Sequence, residues 1–277
     1  MNEGKAIRTG RNLPVAVAVG VALGGAAVLT LFTLKATFLG LVTVAVVVAL
    51  LELSRSLAAR EIAVSFVPVT AGGVAMLGLA YWSGARAALA AFAGTVILLL
   101  AWRLAGGPAG YVRDLTAGLF ALAYVPLLAV FVPLMLARPD GSRRTLIFVA
   151  LAVSNDVGGY FAGILLGRHL MAPGISPKKT WEGFAGSVLL GVAVGAILLT
   201  TLLHGHAWQG IVLGAAAIAA ATLGDLAESM IKRDLDIKDM GTLLPGHGGA
   251  LDRIDSLLVV SPVVWLLLTI FIPHSAG

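Results

Sequence analysis

The feature that most constrains this chain is a succession of apolar runs, each about 20 residues long. That length is what an α-helix needs to cross the roughly 30 Å of hydrocarbon in a bilayer. Nine such segments can be marked, at 14–34, 36–52, 62–82, 86–102, 115–136, 145–167, 181–203, 208–227 and 254–273. Composition agrees: apolar types make up 59% of the 277 residues and charged types 12%, where soluble domains carry roughly 25% charged residues. A single soluble domain is therefore excluded. Helices are expected because lipid-facing backbone must satisfy its own hydrogen bonds. Barrel strands would need short alternating segments, and a run such as LVTVAVVVALLEL does not alternate. The first segment is too long for a signal-peptide core and is read as a retained membrane helix. The expected fold is all-α: a polytopic membrane protein with about nine transmembrane helices.

The charges orient it. The net charge of +5 is spread over short loops, which argues for membrane topology and against a nucleic-acid partner, since the latter needs a concentrated basic patch. With the N-terminus in the cytoplasm, fourteen Lys and Arg fall on the cytoplasmic side and five outside, as the positive-inside bias requires. The stretch holding Arg138, Arg143 and Arg144 dissents locally. Residues 1–150 contain five acidic residues, Glu3, Glu52, Glu61, Asp114 and Asp140, none read as deep in a span, whereas the remainder has nine. This asymmetry divides the chain into an N-terminal set of helices, 1–140, expected to act as scaffold and homodimer surface, and a catalytic region, 141–277. Gly20/Gly24 and Gly191/Gly195 are small-xxx-small pairs suited to close helix packing. With no cysteine, thiolate nucleophiles and zinc-thiolate sites are excluded.

Four polar clusters interrupt the second half. Ser154-Asn155-Asp156 lies mid-way along the sixth segment, where a carboxylate is costly and faces a bundle interior or an aqueous cavity; an interhelical hydrogen bond is the plainer alternative. The 168–183 stretch sets Ser176, Lys178, Lys179 and Thr180 among helix breakers. Its lysines suit phosphate, and equally suit an inside anchor. In the third cluster, Asp225, Glu228, Ser229 and Lys232 share one helical face. Either the carboxylates hold a divalent cation or Lys232 simply pairs with Glu228. The fourth runs from Lys238 through Pro245-Gly246-His247-Gly248-Gly249 to Asp252 and Asp255. Its glycines let backbone amides approach an anion, while a helix cap would account for Asp252. Carboxylates interleaved with Lys232, Arg233, Lys238 and Arg253 suit a metal-chelated polyphosphate.

The order Ser229-Met230-Ile231-Lys232-Arg233, Lys238-Asp239, Pro245-Gly246-His247-Gly248-Gly249, Asp252-Arg253-Ile254-Asp255 resembles the signature of the phosphatidate cytidylyltransferases, or CDP-diacylglycerol synthases, with about fifteen specified positions in 27 residues. Asn155-Asp156, Gly158, Tyr160, Gly167-Arg168 and Ile175 to Gly183 also look like that family. The resemblance is strong over 150–260; earlier residues match only in being hydrophobic helices. It implies a multi-pass protein of the inner (cytoplasmic) membrane whose active site faces the cytoplasm. The implied reaction moves a cytidylyl group from CTP to phosphatidate, giving CDP-diacylglycerol and pyrophosphate, with Mg2+ and potassium as a second cation. By resemblance, Asp225, Asp252 and Asp255 are the metal carboxylates, with Glu228 and Asp156 close by. Lys232, Arg233, Lys238 and His247 lie in the CTP and phosphate site, and Ser176, Lys178, Lys179 and Asn155 belong to the same polar cavity.

The residues fit that chemistry. A phosphomonoester is already anionic near neutral pH, so it needs relief from charge repulsion more than a general base, and a direct in-line attack is expected. A CTP-dependent polyprenol or dolichol kinase would share membrane and nucleotide but transfer the γ-phosphate. An archaeal ether-lipid phosphate is an alternative acceptor, with the nine-span architecture favouring diacyl phosphatidate. An ion-coupled transporter using Asp156 and Asp225 would need matched, polar-broken helices in both halves, and the first half lacks them.

Overall fold

The structure, a computed structural model, describes residues 24–26, 28–241 and 249–273. Among these, eight helices are long and apolar enough to cross a membrane. They are α1 (Lys35–Ala58), α2 (Phe66–Ser83), α3 (Ala85–Leu104), α4 (Tyr111–Leu136), α5 (Gly141–Leu166), α6 (Trp181–Leu203), α7 (Ala207–Asp234) and α8 (Leu251–Phe271). Each answers to one of the last eight apolar segments. The expected first span, 14–34, lies largely outside the described residues; its described end, 28–33, is helical. Large apolar side chains such as Ile97, Leu165 and Leu189 stand well exposed, as the outer surface of a protein solvated by acyl chains should be.

Two stretches have consequences for function. The eighth apolar segment ends at 227, and α7 continues beyond it to Asp234, carrying the Asp225–Lys232 helical face read from the sequence, whose Lys232 meets Asp252 of α8. The 168–183 stretch is not irregular. Leu170–Ala172 (β1) pairs antiparallel with Ser176–Thr180 (β2), with Leu170 opposite Thr180 and Ala172 opposite Ser176. Glu182 anchors this hairpin: its Oε2 accepts from the backbone of Arg168 and His169, and its Oε1 meets His169 Nδ1 at 2.6 Å. The Thr180 hydroxyl then caps α6 by accepting from Gly183 N.

The helix ends gather on two opposite faces. On one, Arg60 bonds Leu235 O, Ser56 bonds Met240 O and Arg233 bonds Ile175 O. On the other, Lys35 bonds Arg138 O, Arg143 bonds Leu202 O, and Arg144 bonds Leu268 O and Ile272 O. Arg144, 1% exposed, therefore has a structural task. It neutralises the carbonyl end of α8, where a cation is favoured. That explains why the Arg138–Arg144 stretch departs from the charge bias.

Helices α5, α6, α7 and α8 pack in series, and glycine sets their spacing. A Cβ at Gly158 would lie 2.7 Å from Gly186 O and from the Ser187 Cα, and one at Gly214 would lie 2.3 Å from Gly191 O. The Gly191/Gly195 pair thus packs α6 against Gly210 and Gly214 of α7. Gly20 of the other expected pair lies outside the described residues. Pro126, with no amide hydrogen to donate, sits in a π-helical turn, Ala123–Leu127, within α4.

Candidate active site

Close approach of α5, α6 and α7 brings polar side chains from different helices together. A cleft of about 310 Å3 is lined by Asn155, Asp156, Ser176, Lys178, Lys179 and Asp225, along with Tyr160 and Thr222. Six residues singled out from three sequence clusters therefore share one cavity. Lys179 Nζ, presented by β2, bonds Asp225 Oδ2 of α7 at 2.5 Å. Asn155 sits between the helices. Its Nδ2 reaches Asp156 Oδ1 and Asp225 Oδ2, both at 3.4 Å, and its Oδ1 accepts from Thr222 at the same distance. Its backbone oxygen accepts from Ser187 of α6 at 2.6 Å. The interhelical hydrogen bond weighed for Asn155 is thus present, and the neighbouring Asp156 is exposed to the cleft. The helix around Asp156 is unbroken; Gly158 serves close packing.

A second cluster lies where α7 meets α8. A Cβ on Gly224 would come within 2.8 Å of Asp255 O, so the backbones nearly touch just before Asp225. Buried Glu228 pairs with Lys232 one turn on, and Lys232 Nζ also bonds Asp252 Oδ1 at 2.8 Å. The second Asp252 oxygen accepts from Gly249 N at 2.8 Å and Met240 N at 3.0 Å. The Glu228–Lys232 pair is therefore present, whereas Asp252 does not cap α8, whose N-cap residue Ala250 has no side-chain cap; it holds the amides of the preceding connection instead. Asp255 is 7% exposed and lies within the electrostatic reach of Asp225 and Glu228, which joins the two clusters.

Arg233 and Lys238 stand apart from these contacts. Arg233 Nε bonds the hairpin at Ile175 O, 3.3 Å away, and Lys238 is exposed in the connection after α7. His247 lies outside the described residues. Among those described, no three carboxylates or imidazoles converge as a ready metal cage. Mg2+ does not require one: it commonly takes one or two protein carboxylates and fills its octahedron with water and substrate phosphate. The donor set fits that mode. It is all oxygen, and Glu228 Oε1 is buried with no partner among the described residues.

Two residues from the first half went unrecognised in the sequence. Glu52 had been placed at the end of its segment. Instead α1 runs on to Ala58, and Glu52 is 2% exposed inside the bundle. Its Oε2 accepts from Leu251 N at 2.9 Å. Tyr124, on the π-helical turn, has a buried hydroxyl without a partner among the described residues, and feels the charges of Asp255, Glu228 and Asp225. A tyrosine in an apolar run gives no signal of this.

The fold and site define a helical membrane protein with a lysine–carboxylate cleft among its helices. Comparison with known proteins narrows the class. Residues 14–271 match the model of the cytidylyltransferase family, and the chain belongs to that family. It is 40% identical over 279 residues to a phosphatidate cytidylyltransferase of Mycobacterium leprae, covering 95% of this chain and 89% of the relative. It is 38% identical to that of Mycobacterium bovis, covering 95% and 90% of the two chains. A Brucella suis phosphatidate cytidylyltransferase is 37% identical over 182 residues, covering 65% and 64%.

Proposed function

We propose that this protein transfers the cytidylyl group of CTP to phosphatidate, giving CDP-diacylglycerol and pyrophosphate. The observation that carries the proposal is the cleft in which Lys179 meets Asp225 between membrane helices, beside exposed Asp156 and Lys178. It offers cations for phosphate oxygens and carboxylates for a metal, at a place acyl chains can reach laterally. The names carried by similar proteins support the same substrates.

A phosphate oxygen of phosphatidate attacks the CTP α-phosphorus in line. The bond from that phosphorus to the bridging oxygen breaks as the new one forms, and pyrophosphate leaves. Lys179 and Lys178 hold phosphate oxygens, reducing the repulsion between two anions. Lys232, held between Glu228 and Asp252, supplies a further cation. Asn155, with Ser187 and Thr222, fixes the distance between α5, α6 and α7. One or two carboxylates among Asp225, Asp252 and Asp255, with Asp156 and Glu228 close by, would hold Mg2+, which would neutralise charge on the triphosphate and its leaving group; potassium is the proposed second cation. We place the site on the cytoplasmic side of the inner membrane, because the loops on its face carry the excess of Lys and Arg. The proposed homodimer would form through the first-half helices.

The test is the purified chain with phosphatidate, Mg2+ and CTP labelled in turn at the α- and γ-phosphorus. Label from the α-position should appear in the lipid and γ-label in pyrophosphate. Lipid carrying γ-label instead would make the protein a CTP-dependent lipid kinase.

A further inference from the structure

Buried Glu52 takes no part in the two clusters just described, yet its surroundings are specific. It shares one face of α1 with Ser56, at i and i+4, and Arg60 follows in the turn just after the helix. All three hold the chain between α7 and α8: Arg60 at Leu235 O, Ser56 at Met240 O, and Glu52 at Leu251 N. The contact around Glu52 is the tightest. A Cβ on Gly241 would fall 2.2 Å from Glu52 Oε1, and a Cβ on Gly249 would fall 2.6 Å from Oε2 and 2.9 Å from Asp252 Oδ2. At Gly249 the Gly241 amide nitrogen, 2.8 Å away, also bars a side chain, whereas at Gly241 a side chain would have to displace the Glu52 carboxylate. Gly249 N and Met240 N, the two donors that hold Asp252, therefore belong to residues in or next to this contact. A buried carboxylate is costly unless its bonds do something, and Glu52 Oε1 has no partner among the described residues.

We propose that Glu52 is a positioning residue for Asp252. By holding Leu251 N and the backbones of Gly241 and Gly249, it sets the start of α8 and presents Asp252 to Lys232. This gives the first half of the chain a direct share in the site. The inference rests on the cytidylyl transfer proposed above, because Asp252 has a catalytic task only within that reaction.

The test is steady-state kinetics of purified, monodisperse Glu52→Ala, Glu52→Gln, Gly241→Ala and Glu52→Ala/Gly241→Ala, with phosphatidate, CTP and Mg2+. Glu52→Ala should lower kcat by about tenfold or more while the phosphatidate KM stays within about twofold. Glu52→Gln keeps an oxygen for Leu251 N and should recover to within about threefold of the parent. Gly241→Ala should lose activity by driving the carboxylate away. Adding it to Glu52→Ala should cost little more, because the group it displaces is already gone. Parental kcat in Glu52→Ala, or fully multiplicative losses in the double variant, would overturn the proposal. So would an equal loss in Glu52→Gln, which would assign Glu52 its charge and not its hydrogen bond. If Glu52→Ala does not yield folded protein, Glu52→Gln and Gly241→Ala decide alone: a well-folded, fully active Gly241→Ala overturns the proposal. A parent that makes no CDP-lipid fails the functional proposal first, which separates the two failures.

Discussion

Lys178 and Lys179 are neighbours in sequence and opposites in structure, and replacing each with methionine should separate phosphate chemistry from membrane anchoring. Lys179 is 26% exposed and bonded at 2.5 Å to Asp225, itself 21% exposed. Lys178 is exposed at the rim of the same cleft. Among the described residues, removing Lys179 leaves Asp225 with the long Asn155 contact at 3.4 Å. A hydrogen bond to a charged group is worth about 1.5–3 kcal/mol, so the loss in kcat/KM for CTP should be about tenfold to a hundredfold. An exposed cation contributes less, and Lys178→Met should lose no more than about fivefold. The assay is CDP-lipid formation by detergent-purified protein across a CTP titration, normalised to folded protein. Asp225→Asn combined with Lys179→Met should lose less than the product of the single losses, because the two act as a pair. Equal effects at both lysines would refute the role of the ion pair. Normal kinetics with poor membrane yield at both would return them to topology.

Exhaustive chelation should abolish activity, with Mg2+ restoring it; undiminished turnover in chelator removes the metal from the proposal. Asp252→Asn and Asp255→Asn should lose most of kcat while remaining monodisperse, since each keeps its shape and loses its charge; parental rates at saturating Mg2+ would refute the metal role of both. Gly158→Ala should lower the thermal midpoint, overpacking being worth about 1–3 kcal/mol, because its Cβ would meet the α6 backbone at 2.7 Å. Gly40→Ala in α1, with nothing within 4 Å of its Cβ, should not, and similar midpoints for the two would contradict glycine-set spacing. In this cysteine-free chain, Ser176→Cys in the cleft should react with an impermeant maleimide from the cytoplasmic side and be protected by CTP with Mg2+, whereas Ser83→Cys at the α2–α3 turn should react from outside; the reverse pattern inverts the topology.

The spans were legible because lipid leaves the backbone few choices, and eight of the nine segments correspond to described helices. The site was legible where polarity interrupts an apolar run, as at Asn155-Asp156 and Asp225. What stayed hidden depends on partners distant in sequence. The helical face of Asp225, Glu228 and Lys232 was legible, but its partner was not: Lys232 meets Asp252 of α8, a contact between helices that no local pattern reports. Strand pairing of 170–180 was masked by Pro173, Gly174 and Pro177, which read as breakers although the two flanking strands need only a short turn between them. Arg144 looked like a misplaced loop charge, because its acceptors lie at the far end of the chain. Glu52 looked like a segment boundary for the same reason.

The glycines and the charges serve one arrangement. A carboxylate inside a membrane helix is tolerable only if a protein group, not lipid, faces it. Helices whose side chains hold them 8–10 Å apart could not let short residues such as Asn155, Ser187 and Thr222 bridge three helices at once. Glycine at 158, 186, 191, 195, 210 and 214 removes the intervening Cβ atoms, and the bridging contacts then become possible. The lysines enter from two different elements, Lys179 from a two-stranded hairpin and Lys232 from the last turns of α7. Each is paired with carboxylates. Under the proposed reaction, a triphosphate would be the alternative anionic partner of Lys179, and Asp225 would be among the carboxylates able to hold Mg2+. The ion pairs thus set cation and carboxylate side by side, where a nucleotide and its metal would need them.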